Sequence, residues 1–243
     1  MRNLIIFLAL VGVFVVGRRG CHCSMPGMGM GVRGSGPMTT ETRSVSDFHA
    51  IDLDLAGEVE LSIGDRYAVE VQAQESLLPI LKTEVENGQL KIYFDKNVSY
   101  SENVKIRVTA PSFDGLDVAG SGTIRAMTAV KADKMDVDVS GSGNVYLPQG
   151  EFGALICDIS GSGGIELGGT ATTLKANVAG SGEIDSKSLT ANALDAAISG
   201  SGTITCNVTQ TLKADVAGSG EVLYLGQPTV DADVSGSGKV KRL

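Results

Sequence analysis

The sequence is poor in side chains that recognise sugars and nucleobases by stacking. It contains no tryptophan, and aromatic residues make up 5% of its 243 residues. Because bases and sugar rings are commonly held against aromatic faces, this scarcity weakens a carbohydrate-binding interpretation without excluding it. The formal net charge of −8 argues against nucleic acid and against anionic membrane surfaces as partners.

The second half of the chain is also poor in basic residues suited to catalysis. From Phe113 onward there is no histidine, and the arginines are Arg125 and Arg242. A polysaccharide-cleaving site combines carboxylates with basic residues, so its cation here would have to be lysine. No glycine-rich turn continues into Gly-Lys-Ser or Gly-Lys-Thr, which argues against a phosphate-binding loop. We therefore predict no catalysis, no cofactor and no metal, and a polysaccharide-active enzyme is the least favoured alternative.

The chain has no apolar run of the length typical of a membrane-spanning helix. The longest such run, Leu4 to Val16, has 13 residues and suits the core of an export signal. Arg18 and Arg19 fit an uncleaved membrane anchor equally well. Residues 1–20 are therefore interpreted as an export signal or an N-terminal anchor, and we expect contact with a membrane only there.

Glycine, methionine, serine and proline dominate the next segment, residues 21–40, which is typical of a flexible linker. Cys21 follows Gly20, so it is a candidate for lipid attachment. Soft ligands of the kind that hold Cu(I) cluster at the start of the segment, although the linker interpretation is favoured: Cys21, His22, Cys23, Met25, Met28 and Met30.

The most regular feature of the chain is the tripeptide Gly-Ser-Gly, which occurs seven times at intervals of 16 to 21 residues. Such a period is typical of stacked units that each contact only their neighbours. Paired glycines suit a corner that needs positive φ or close approach of backbone between layers. The predicted corner glycines are Gly120, Gly122, Gly141, Gly143, Gly161, Gly163, Gly180, Gly182, Gly200, Gly202, Gly218, Gly220, Gly236 and Gly238.

Apolar residues fall at every second position on both sides of each corner, as in Val137 and Val139 before Gly141 and Val145 after Gly143. This alternation indicates strands with one buried face. The chain is therefore predicted to be all-β, with residues 113–243 forming a single-stranded parallel β-helix, or β-solenoid, of roughly 20-residue coils.

Residues 41–112 are rich in strand patterns that do not follow the repeat. Asn87-Gly88 separates two alternating segments and predicts a β-hairpin. Gly57 lies about three coil lengths before Gly120 and suggests an early corner of the same solenoid. We expect this segment to be the irregular N-terminal cap of the stack.

These features together resemble the bacterial family described as putative auto-transporter adhesin, head GIN domain. The resemblance covers roughly residues 45 to 240. It implies an exported, right-handed parallel β-helix and supplies no ligand or active site. The matching motifs are Phe48-x-x-Ile51, Gly57-x-Val59, Val69-x-Val71, Gly88-x-Leu90-x-Ile92, Ala110-Pro111 and the Gly-Ser-Gly repeats.

An outward row of acidic residues is the sharpest candidate binding site in the sequence. It stands three positions before each corner, at Asp117, Asp138, Asp158, Asp215 and Asp233, and is interrupted by Asn177 and Ala197. Carboxylates stacked about 4.8 Å apart repel by roughly 1 kcal/mol per pair in water, which a shared Ca²⁺ would relieve. The favoured alternative is that each aspartate accepts hydrogen bonds from backbone N–H groups of its corner.

Two cysteines fall within the repeats. Cys157 occupies an inward position held by alanine or valine in other coils, and Cys206 lies after a later corner. Two rungs separate them by about 10 Å, which is too far for a disulfide. Both are predicted to be buried thiols.

Two non-catalytic functions remain from the sequence. The favoured one is an exported cell-envelope module, in the periplasm, outer membrane or cell surface, that binds a surface protein or glycan. The alternative is a structural subunit that assembles end to end through an open last rung at residues 240–242. Lys239, Lys241 and Arg242 are also charges that would discourage such pairing.

Overall fold

The computed structural model describes residues 31–102 and 104–243. The described residues belong to one compact unit, Gly31–Leu243. The predicted export signal, Cys21 and the first ten residues of the predicted linker therefore lie outside the described residues. No helix within the described residues is long and apolar enough to cross a membrane.

Nine strands make up the first part of the described chain. β1 and β8 form a small parallel sheet, and the others join the main sheet through both parallel and antiparallel pairs. The strands are β1 (Val32–Arg33), β2 (Met38–Arg43), β3 (Ala50–Asp54), β4 (Gly57–Ile63), β5 (Ala68–Gln74), β6 (Leu81–Glu86), β7 (Gln89–Phe94), β8 (Val98–Tyr100) and β9 (Val104–Ala110).

Eleven strands follow, and all of their mutual pairings are parallel. They are β10 (Gly115–Gly120), β11 (Thr123–Ala126), β12 (Val130–Gly141), β13 (Asn144–Leu147), β14 (Gly150–Gly161), β15 (Gly164–Gly180), β16 (Glu183–Gly200), β17 (Thr203–Gly218), β18 (Glu221–Gly226), β19 (Thr229–Gly236) and β20 (Lys239–Arg242). The predicted parallel β-solenoid is confirmed.

The Gly-Ser-Gly corners stack directly on one another, as the repeat predicts. The first glycine of every corner has a positive φ, between 87° and 132°. In each of the last six corners the serine N–H donates to the carbonyl of the first glycine one rung earlier, at 2.8 Å. The second glycine of each corner lies so close to the previous rung that a Cβ there would collide with carbonyl oxygens and apolar side chains. The paired glycines therefore provide both the positive φ and the close backbone approach.

The core is one continuous column of inward side chains. Val137 is in register with Cys157, and Cys157 with Ala176, and all three are almost fully buried. Cys157 and Cys206 are both free and buried, as predicted. Burial raises the pKa of the Cys206 thiol to about 12 and raises that of Cys157 further, so neither thiol is ionised near neutral pH.

The cap contains the predicted hairpin. β6 and β7 are antiparallel with Glu86 opposite Gln89, and both turn residues have positive φ, 52° at Asn87 and 79° at Gly88. Two consecutive positive values identify a type I′ turn, whose twist matches that of the flanking strands.

The early corner near Gly57 is also present, with a different register from the one its spacing suggested. β3 pairs with β10 and β4 with β11, so that Leu53 lies beside Val118 and Val59 beside Ile124. Gly57 therefore aligns with Gly122, the second glycine of its corner. Residues 41–112 and 113–243 consequently share one stack.

The predicted linker is wrong over residues 31–40. β1 pairs with β8, and β2 pairs antiparallel with β5 from Met38 opposite Gln74 to Arg43 opposite Val69. Edge pairing explains the difference, because β5 offers backbone groups that β2 satisfies although β2 itself is mostly exposed.

Candidate functional site

The outward aspartates lie in one row across the solenoid, interrupted by an asparagine and an alanine. Paired in register are Asp52, Asp117, Asp138, Asp158, Asn177, Ala197, Asp215 and Asp233, which we call the acid row. The sequence predicted every member except Asp52, because the irregular spacing of the cap concealed its alignment with Asp117. The signal that could have found it is the pattern Ile51-Asp52-Leu53, which matches Leu116-Asp117-Val118.

Three neighbouring members of the acid row, Asp52, Asp117 and Asp138, have raised pKa values. Burial, followed by the charges of Asp52 and Asp138, raises the pKa of Asp117 to about 6. Burial is also the leading cause that raises the pKa of Asp52 and of Asp138, each with help from neighbouring carboxylates. At the next step of the row, an amide replaces a second carboxylate, so charge repulsion is absent there. Asn177 Nδ2 donates a hydrogen bond to Oδ1 of Asp158 at 2.6 Å.

The carboxylates of the acid row do not surround a common position where an ion could bind. Each carboxylate has row neighbours only in the rungs on either side, whereas Ca²⁺ takes six to eight oxygen ligands. Among residues 31–102 and 104–243, no group of three His, Cys, Asp or Glu side chains is arranged to hold a metal ion. The calcium ladder therefore gains no support from the geometry beyond the alignment itself.

The corner hydrogen bonds that involve serine do not favour the alternative role for the row, as acceptors from corner N–H groups. The corner N–H groups donate instead to glycine carbonyls one rung earlier, as Ser162 does to Gly141 and Gly164 does to Gly143. Where Ala197 interrupts the acid row, a shallow depression of about 340 Å³ opens between Asn177 and Asp215.

A much larger depression lies on the face formed by the strands that leave the corners. Its volume is about 1030 Å³, and we call it the Tyr146 groove. Its wall and floor come from β4, β9, β11 and β13, with further residues from β2, β5 and the segment before β9. The lining includes Gln72, Glu58, Lys105, Thr123, Arg125 and Tyr146.

Strand register explains how these residues meet. Thr123 pairs with Glu58, and Glu58 pairs with Lys105, so three polar side chains form a line across three strands. Two residues further along β11 and β13, Arg125 pairs with Tyr146. The cap therefore supplies one side of the groove and the first two regular rungs supply the other.

A cation–π contact fixes the aromatic end of the groove. The Arg125 guanidinium carbon lies 4.0 Å from the centroid of the Tyr146 ring, within the distance at which such pairs attract. Beyond it, Lys105 Nζ lies 2.6 Å from Glu60 Oε1, and this contact is the leading cause that holds the pKa of Glu60 below its usual range. The groove thus offers cationic, anionic and neutral polar groups along its length.

The sequence contains a signal for this site that composition concealed. Arg125 and Tyr146 each stand three residues after the second glycine of their corners. Aligning the repeats on the corners places them on adjacent rungs and on the same outward face. Low aromatic content had suggested little stacking surface, but one tyrosine in a depression provides a local surface.

Comparisons with known proteins agree with the fold. A putative adhesin from Bacteroides fragilis aligns with a TM-score of 0.83 at 27% identity, over 88% of this chain and 100% of that one. A putative lipid binding protein from Parabacteroides distasonis aligns with a TM-score of 0.75 at 29% identity, over 87% of this chain and 99% of that one. A putative adhesin from the same organism gives 0.74 at 25% identity, over 87% and 99%. A comparison with curated proteins finds no match.

The family comparison covers both the cap and most of the regular rungs. The model of the family described as putative auto-transporter adhesin, head GIN domain, matches residues 47–228. This span includes the corner at Gly57, the Asn87-Gly88 hairpin and six of the seven Gly-Ser-Gly corners. The chain therefore belongs to the family described as putative auto-transporter adhesin, head GIN domain.

Proposed function

We propose that this protein is exported to the cell envelope and acts there as a non-catalytic adhesion module that binds a surface protein or glycan. The observation that carries the proposal is the Tyr146 groove, a depression of about 1030 Å³ on a solenoid face. Membership of the adhesin-like family and the adhesins among the similar structures support the same class of function.

The chemistry of the groove suits a polar ligand of extended shape. Lys105 and Arg125 provide donors, Glu58 provides acceptors, and Thr123 provides a hydroxyl that does both. The Tyr146 ring adds the one large aromatic surface, which is the kind of residue that dominates binding energy at protein interfaces. A glycan or an extended peptide segment presents groups of all these kinds.

The scaffold suits binding more than chemistry. The groove floor consists of strands locked in register by neighbours on both sides, so its side chains are held in place before a ligand arrives. Preorganisation of this kind reduces the entropy cost of binding. The lining contains no histidine or cysteine; within it, Glu58 forms an ion pair with Lys105, and Arg125 contacts the Tyr146 ring.

Export is supported by the sequence of the N-terminus. The apolar run Leu4–Val16 and the adjacent Cys21 suit a signal followed by a lipid-attachment site or an anchor. Expression of the full chain in a bacterium, followed by fractionation, should place it in the envelope fraction. Recovery in the cytosol, with the N-terminal segment intact, would contradict export.

The binding proposal is tested by screening the purified full chain against arrays of glycans and of surface proteins. We expect a specific ligand that is recovered chemically unchanged after incubation. Conversion of the ligand to cleaved products would instead establish an enzyme and overturn the non-catalytic part of the proposal.

A further inference from the structure

Arg125 carries a positive charge that has no carboxylate partner in the part of the chain that the structure describes. Its register neighbour on β4 is Glu60, but Glu60 pairs instead with Lys105 at 2.6 Å and with Arg107 at 3.3 Å. The half-buried Arg125 side chain lies over the Tyr146 ring. Because this contact is made with a π-face, the N–H donors of the guanidinium stay available to a ligand.

A guanidinium in this position is suited to binding a carboxylate. It is planar and always charged, and it can donate two parallel hydrogen bonds to the two oxygens of one carboxylate. The other cation of the groove, Lys105, is already shared between Glu60 and Glu58. Glu102, the second acidic residue of the lining, is exposed to solvent, which screens its charge. The groove therefore holds one positive charge that a ligand carboxylate would balance.

The rungs beyond Tyr146 set the direction in which an anionic ligand can extend. Glu166 is in register with Tyr146, and Asp185 with Glu166. Both acids line a second depression of about 200 Å³, which also includes Tyr146. Asp185 pairs with Lys187, whereas Glu166 is exposed and has no ion pair within the described residues. The charge of Glu166 disfavours an anion on that side, so the ligand extends from Arg125 toward the cap.

The floor of the groove offers little to a peptide. Peptides commonly add a strand to an open sheet edge, but β4, β11 and β13 each pair with a strand on both sides. The apolar side chains of the lining, besides the Tyr146 ring, are those of Met38, Ala56 and Val104, and Val104 is buried. A bound peptide would therefore leave backbone groups without partners and gain little from apolar contacts.

A sugar chain is better matched to the rest of the lining. Its hydroxyl groups each donate and accept hydrogen bonds, and so do the neutral polar side chains Gln72, Ser101, Ser121 and Thr123. Resting on the adhesion function above, we propose that the ligand of the Tyr146 groove is a carboxylated glycan, a sugar chain that contains uronic acids. Arg125 binds one of its carboxylates.

The test is calorimetry of the purified full chain with short oligomers of galacturonate and of mannuronate. We expect saturable binding of at least one of them. The same oligomer with its carboxylates reduced to alcohols should bind at least about tenfold more weakly, because the charge-assisted hydrogen bonds to Arg125 are lost. A glutamate peptide of equal charge should also bind at least about tenfold more weakly, since it lacks the sugar hydroxyls.

Variants of Arg125 locate the bound carboxylate. Arg125→Gln removes the charge and should weaken uronate binding at least about tenfold, without changing the weaker binding of the reduced oligomer. Arg125→Lys keeps the charge but loses the fork of donors, so its affinity should lie between those of the two. Lys175→Gln removes an exposed cation on β15 outside the groove and is the matched control, with unchanged affinity expected. Far-ultraviolet circular dichroism checks that each variant keeps the fold.

Four results would overturn the proposal. They are absence of binding to both oligomers, equal binding of the reduced oligomer, equal or tighter binding of the glutamate peptide, and unchanged affinity in Arg125→Gln. A neutral glycan or a protein that binds in the groove would keep the adhesion function and remove only the carboxylated ligand. Uronate binding through Arg125 that is followed by cleavage of the sugar chain would keep the ligand class and remove the non-catalytic function.

Discussion

At the scale of single residues, the first glycine of each of the last six corners meets two constraints at once, a positive φ and close contact with the previous rung. Gly180 has a φ of 123°, and a Cβ added there would collide with the carbonyl oxygen of Gly161 in the previous rung. We expect Gly180→Ala to lower the free energy of unfolding by at least about 2 kcal/mol, because backbone strain and the collision act together. Denaturant-induced unfolding followed by far-ultraviolet circular dichroism measures this loss.

Gly120 provides a matched control for that change. Its φ is 87°, but nothing lies within 4 Å of an added Cβ. Gly120→Ala therefore adds backbone strain without a collision and should cost only about 1 kcal/mol. Equal losses for the two variants would mean that contact between rungs contributes nothing to the glycine requirement.

We expect the stability of the protein to depend on pH through Asp117, a member of the acid row. Its pKa is raised from 3.8 to about 6, so the stability associated with its protonated form is complete below about pH 4 and is lost as the pH rises through 6. Asp117→Asn should therefore stabilise the protein at pH 7 by about 1 kcal/mol after allowance for solvent screening, and much less at pH 4. Unfolding at both pH values measures the difference.

Asp233→Asn is the control for this effect. Asp233 is exposed and has only Asp215 as a row neighbour, so this change should alter stability little at pH 7. A stabilisation at pH 7 as large for Asp233→Asn as for Asp117→Asn would contradict the account that burial destabilises the charged form of Asp117.

The sequence predicts these residues to different degrees. Corner glycines and buried cysteines follow from the repeat, because every inward or turn position recurs in each coil. The raised pKa of Asp117 does not, since it depends first on burial and then on the charge of Asp52, which joins the row through the cap. Long-range pairing between irregular and regular segments has no period to reveal it.

At the scale of elements, the hairpin β6–β7 depends on its two turn residues. Asn87 has a φ of 52°, which asparagine tolerates and β-branched residues do not. Asn87→Val should therefore lower the free energy of unfolding by about 1–2 kcal/mol, measured by thermal or denaturant unfolding. Asn207→Val, within β17 where β-branched residues are favoured, should cost less. A reversed order would contradict the type I′ assignment.

The sequence predicts strands inside the repeats better than strands in the cap. Alternation of apolar residues identifies both kinds, and Asn87-Gly88 also fixes the β6–β7 register. Nothing local indicates that β2 pairs with β5, because Met38–Arg43 is mostly exposed and its partner lies about 30 residues away. Composition therefore favoured a linker where edge pairing produces a strand.

At the scale of the whole molecule, the cap and the regular rungs are one structure. β3 and β4 lie on β10 and β11 in parallel register, and the Tyr146 groove straddles this junction. The groove therefore depends on both halves of the chain, although neither half contains a recognisable motif for it. Repeat alignment could predict its Arg125–Tyr146 end, whereas Glu58 and Lys105 required knowledge of how the cap stacks.

The most direct test of the central claim, that binding takes place in the Tyr146 groove, compares two tyrosine variants. Tyr146→Ala removes the aromatic wall, and Tyr93→Ala removes a half-buried tyrosine on β7 that donates to Glu84 outside the groove. The dissociation constant of each variant for the ligand found by array screening can be measured by calorimetry. The account predicts that Tyr146→Ala weakens binding at least tenfold, or about 1.4 kcal/mol, with the fold intact, while Tyr93→Ala binds as the unmodified protein does. Unchanged affinity in Tyr146→Ala would contradict it.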